Sequence, residues 1–73
     1  MGMTDNDDEL LTPEETAKLL RVAVSTLVRW RRETRKRKTQ IGPYWVQVST
    51  GTVSYRRSTV REFIEAREQR ADG

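Results

Sequence analysis

The chain of 73 residues contains no cysteine and no histidine. That excludes a disulfide framework and any thiolate or imidazole zinc site. It also leaves nucleophilic catalysis of the Cys–His or Ser–His type without its base. Aromatics are few, with two Trp, two Tyr and one Phe, and prolines number only two. No long apolar run exists, so no segment reads as membrane-spanning. The N-terminus is acidic and does not read as a signal peptide, and Asn6 breaks the myristoylation pattern begun by Met1-Gly2. The expected compartment is therefore the cytoplasm. A domain of about 60 residues buries only ~60% of the surface its unfolded chain exposes, which leaves little room for both a core and a catalytic cleft. The expectation is a binding protein without cofactor or metal, not an enzyme.

Charge is present and unevenly placed. The first 15 residues hold six acids (Asp5, Asp7, Asp8, Glu9, Glu14, Glu15) and no base, so the remaining 58 carry 14 bases against five acids. Seven of those bases fall between Arg29 and Lys38. A field of this sign favours a polyanionic partner and fast, salt-sensitive association. Residues 1–9 lack periodicity and are expected to be disordered, 10–70 to form one domain, and 71–73 to be a tail.

Thr12-Pro13-Glu14-Glu15 is a helix start: Thr12 caps, Glu15 reaches back, and Pro13 suits the first turn. The helix should run to about Leu20, with Ala17 and Leu20 inward, Leu10 or Leu11 packing beneath, and Val22 plugging the corner that follows. A second helix is predicted from about Val24 to Arg35, with Ala23 a weak N-cap. Counting about 100° per residue from Leu27 puts Trp30 and Thr34 on its face and Ser25, Arg29 and Arg32 opposite. Gly42-Pro43 then breaks the pattern. Tyr44–Val48 and Thr52–Arg56, with Ser49-Thr50-Gly51 between them, read as a two-stranded hairpin, with neither face assigned to the core. Trp45 suits a buried position and a partner contact equally. Ser58 should cap a last helix from Thr59 to about Arg70, whose stripe is Val60, Phe63 and Ile64 and whose mixed Arg/Glu faces are solvent surface or a neighbour-binding surface. The expected core is Leu27, Trp30, Val60, Phe63 and Ile64, joined by Leu20.

The basic helix is the expected functional element. Ser25, Arg29 and Arg32, with Thr26 and Val28 beside them, are candidates for DNA contacts, and Glu33 stands where it can orient an arginine or a partner residue. Arg35, Lys36, Arg37 and Lys38 are candidate phosphate contacts that carry little sequence information. Arg56 and Arg57, at the junction of hairpin and last helix, suit phosphate as well. A nuclear-localisation reading of the basic run is weak.

Helix, turn, basic helix, hairpin and helix is the order of a winged helix-turn-helix, mostly α with a small β-hairpin. Leu11-Thr12-Pro13-Glu14-Glu15-Thr16-Ala17 with Leu19-Leu20, then Ser25-Thr26-Leu27-Val28-Arg29-Trp30, resemble the MerR-like excisionase family of DNA-binding domains. Gly42-Pro43 and Tyr55-Arg56-Arg57-Ser58 match the same family's wing and the start of its last helix, so the similarity spans about Leu10 to Glu65. Arg21 and Ala23 depart from it, standing where the family commonly has Gly and Ser. The tip Ser49-Thr50-Gly51-Thr52 also departs, being uncharged; there Thr50 and Gly51 would touch DNA through hydroxyl and backbone. The resemblance implies a phage excisionase, or recombination directionality factor, in a phage-infected or lysogenic bacterial cytoplasm. Such a protein bends double-stranded DNA, assists an integrase and associates weakly head to tail along its site. A small transcription regulator or a phage packaging protein with the same domain is the nearest alternative. An adaptor binding an acidic protein is the alternative of another class.

Overall fold

The computed structural model describes residues 9–68. Their order is β1 (Leu10–Leu11), α1 (Pro13–Leu20), α2 (Val24–Arg37), β2 (Val46–Ser49), β3 (Thr52–Arg56) and α3 (Arg57–Arg67). Three helices thus accompany one antiparallel sheet of strand order β1-β3-β2, a mixed α and β architecture.

Local chemistry sets α1. The Thr12 hydroxyl accepts from the Glu15 N–H at 3.0 Å, and the Glu15 carboxylate accepts from the Thr12 N–H at 2.9 Å, so two orphan donors are satisfied reciprocally. Thr16 is fully buried, and its hydroxyl donates to the Thr12 carbonyl at 3.0 Å. At the other end Arg21 takes the left-handed conformation (φ 60°). The Arg21 N–H bonds the Lys18 carbonyl and the Val22 N–H the Ala17 carbonyl, the paired closure that usually recruits glycine. Val22 packs against the core there, as the corner predicts. Ala23 supplies no side-chain cap to α2, which nonetheless extends two residues past its predicted end, to Arg37.

The segment after α2 is pinned by one hydroxyl. Thr34 Oγ1 accepts from the Ile41 N–H at 2.9 Å and lies 2.8 Å from the Trp30 carbonyl. This brings Gly42, at φ +78°, against the Trp30 ring: a Cβ there would lie 2.6 Å from Trp30 Cε3. Gly51 has a similar φ of +80° but open space around it. Gly42→Ala should therefore cost about 2–4 kcal/mol, backbone strain plus overpacking. Gly51→Ala should cost only about 1–2 kcal/mol from the strain. Urea midpoints of the two variants test this, and equal losses would contradict the Trp30 contact.

The sheet differs from the expected hairpin in three ways. Leu10–Leu11 forms a third strand, pairing with Arg56 and Tyr55 of β3. Strand β2 begins at Val46 rather than Tyr44, which is left 66% exposed. The β2–β3 register shifts between Gln47 and Ser49, leaving Val48 exposed. The last helix differs too. It starts at Arg57 directly from β3, so Ser58 lies inside the first turn and caps nothing, and it ends at Arg67 rather than Arg70. The segment 1–8, Gln69, Arg70 and the tail 71–73 lie outside the described residues. Glu9 lies within them: its carbonyl accepts from the Arg57 N–H at 2.9 Å, and its carboxylate meets Arg57 Nε at 3.2 Å.

The core is Leu11, Ala17, Leu27, Tyr55 and Val60. Of the expected core, Leu27 and Val60 are buried, while Leu20, Trp30 and Phe63 are half-buried, the last two with ring centroids 5.9 Å apart. Ile64 is 41% exposed, because it lines an open groove with Leu19, Leu20 and Phe63 rather than being covered by another element. Tyr55 takes the central place instead. Among the described residues no helix is long and apolar enough to cross a membrane.

Candidate nucleic-acid interface

The outward side of α2 carries exposed Ser25, Val28, Arg29, Arg32, Arg35 and Lys36. Along it runs a shallow open groove of about 380 Å³, lined by Val28, Arg31, Arg32, Arg35 and Lys36. These are positions i, i+3, i+4, i+7 and i+8, so consecutive turns of one helix place them in a single stripe. Among the described residues, four cations converge there with no carboxylate in the lining. Such a surface concentrates positive potential and draws a polyanion.

Two of these cations are held from the sheet. Arg31 Nη1 donates to the Tyr55 hydroxyl at 2.7 Å. The Arg35 guanidinium lies over the Trp45 ring, 5.5 Å from its centroid, a cation–π contact. Tyr55 belongs to β3 and Trp45 immediately precedes β2, so the root of the hairpin docks beside the cationic stripe. At the far end, Thr50 and Gly51 form the exposed tip. The Gln47 amide braces that tip by donating to the Ser49 carbonyl at 2.9 Å. The open space around Gly51 lets another molecule's backbone approach closely.

The expected site residues divide accordingly. Val28, Arg32, Arg35 and Lys36 meet in the groove. Ser25 and Arg29 are exposed on the same helix outside its lining, and Thr26 is half-buried in the first turn, where its N–H bonds the Ala23 carbonyl. Arg37 turns to Glu33 at 2.9 Å, the arginine that this acid orients. Lys38 occupies the left-handed cap of α2 at φ 57°. Arg56 is exposed at the end of β3, and Arg57 is engaged by Glu9. Arg31 was absent from the expected set, although its spacing to Val28 and Arg35 carries the signal. So were its anchor Tyr55 and the role of Trp45.

A larger groove of about 690 Å³ lies between the end of α1, Trp30, Gly42 and the last turns of α3, with exposed Leu19 and Ile64 in its lining. Its lining is mostly apolar, with Arg21, Arg67 and Glu68 the charged members, and suits a polyanion less well than the cationic groove. The chain matches no family model, no curated protein and no solved structure.

Proposed function

We propose that the protein is a winged helix-turn-helix domain that binds double-stranded DNA, with α2 in the major groove and the β2–β3 hairpin as the wing. The observation that carries this reading is the groove in which Arg31, Arg32, Arg35 and Lys36 converge, with no carboxylate among its described lining residues, bordered by the hairpin root. Arg29, Lys38, Arg56, Thr50 and Gly51 extend the contact along the backbone, where phosphate contacts fix orientation. Arg37 and Arg57 contribute less, each being drawn to a carboxylate.

Its role, on this reading, is that of an architectural accessory factor, an excisionase that bends DNA and directs an integrase toward excision. The support is the family resemblance together with a sequence that has neither cysteine nor histidine. It acts in the cytoplasm and needs no cofactor. Bending a site of 20–30 base pairs by 40–90° costs on the order of 1–6 kcal/mol, which several adjacent protomers supply more readily than one. DNA sets the register, so neighbours meet head to tail in a contact that does not close into a two-fold dimer.

The test combines sedimentation with gel mobility. The protein alone should be a monomer, bind a multi-site duplex cooperatively, and retard circularly permuted fragments most when the site is central. A stable dimer in solution, or independent filling of unbent DNA, would favour the transcription-regulator alternative. Binding to an acidic protein but not to duplex would favour the adaptor.

A further inference from the structure

We propose that Arg31 is the residue of this surface that reads a guanine, and that Tyr55 is its positioning residue; the inference rests on the DNA reading above. A guanidinium discriminates bases only when its fork is held in a definite place. Bidentate pairing with guanine O6 and N7 requires the plane of the fork to be set in both position and rotation. An arginine on an exposed helix samples many rotamers, and such a side chain matches a phosphate, whose acceptors face several directions, more easily than a base edge.

Among the described residues, Arg31 alone of the groove's cations is fixed by a directed bond. Its Nη1 donates to the Tyr55 hydroxyl at 2.7 Å. The hydroxyl in turn is held by a ring that is 1% exposed and belongs to the buried cluster with Leu11, Leu27 and Val60. The Tyr55 backbone is paired with Leu11 across β1–β3, so the anchor cannot shift without moving the core. A guanidinium has five N–H donors in a planar fork, and one bond leaves the others for the groove that Arg31 lines. Arg35 is held differently. Stacking over Trp45 restrains the position of its plane but leaves rotation within the plane open. Among the described residues Arg29 and Arg32 have neither kind of anchor. Discrimination therefore belongs to Arg31, and Arg29, Arg32 and Lys36 bind the backbone.

A merely structural tie, fastening the hairpin to α2, would also use this bond, and selectivity separates the two. The full chain is used to select sites from a random duplex pool, and each G·C pair of the selected site is replaced in turn by A·T. Wild type should lose about 5- to 150-fold at one guanine. Arg31→Lys, which keeps the charge but not the fork, should bind with the wild-type salt slope and show almost no preference at that position. Tyr55→Phe, which keeps the buried ring, should reduce the preference there to a few-fold while its thermal midpoint stays within a few degrees of wild type.

A Tyr55→Phe variant that discriminates at every position as wild type does would overturn the positioning role. An Arg31→Lys variant with wild-type discrimination would overturn the reading role. A wild-type protein that binds duplex in a salt-dependent way but selects no sequence would overturn the inference while leaving the DNA reading in place. Absence of salt-dependent duplex binding would overturn the DNA reading itself.

Discussion

Truncating Tyr55 to alanine should leave the chain unfolded at room temperature. Its ring is the largest fully buried side chain and joins Leu11, Leu27 and Val60 in the core. Removing a buried aromatic costs about 3–5 kcal/mol. A domain of about 60 residues has a total stability of roughly 3–9 kcal/mol, near 0.05–0.15 kcal/mol per residue. The same change frees Arg31 from its anchor and loosens the hairpin from α2. Far-UV circular dichroism through a urea titration reads the outcome. A cooperative transition near the wild-type midpoint would contradict the place given to Tyr55. Leu10→Ala, in the strand that pairs with β3, is the control: Leu10 is 46% exposed and its loss should be small.

Replacing Arg31, Arg32, Arg35 and Lys36 together by glutamine should lower affinity for duplex DNA roughly a thousandfold at about 0.15 M salt. At that salt each phosphate contact made by Arg32, Arg35 and Lys36 is worth about fivefold in binding through counterion release, and the loss of the Arg31 guanine contact adds at least about fivefold more. Arg32, Arg35 and Lys36 are exposed, so the fold should persist and circular dichroism should remain near wild type. Arg37→Gln should cost far less, because Glu33 already offsets its charge. A quadruple variant that binds within about tenfold of wild type would place the interface elsewhere.

Much of this architecture is legible in the residues, and the parts that are not have physical reasons. Thr12-Pro13-Glu14-Glu15 carries its capping chemistry within four positions, so α1 can be read without tertiary knowledge. The hairpin turn at Gly51 is similarly local, whereas α2, with no side-chain cap at Ala23, runs two residues past its expected end. A strand of two residues has no period, and β1 exists only because β3 offers it a partner. Alternation puts Val53 and Tyr55 on one face of β3, but only the position of α1 and α3 says that this face is inside. Ser58 has the chemistry of a cap, yet β3 runs straight into α3 one residue earlier.

Which cations share the groove was legible only in part, for a related reason. A helical wheel drawn from Leu27 marks the direction opposite the core, which selects Ser25, Arg29 and Arg32. The hairpin docks on the flank of α2 through Tyr55 and Trp45, so the groove is centred toward Arg31 and Arg35 instead. Composition identifies the charge of the surface. Only the packing of the sheet shows which cations are held still.

The central claim is that this cationic surface binds duplex DNA through its phosphates, and the most direct test is the affinity of the whole chain for duplex across a salt series. With about five phosphates neutralised, log K against log salt should fall with a slope near −4 to −5, so that raising salt from about 50 to about 200 mM weakens binding roughly 500-fold. An affinity that stayed constant across that series would contradict the account.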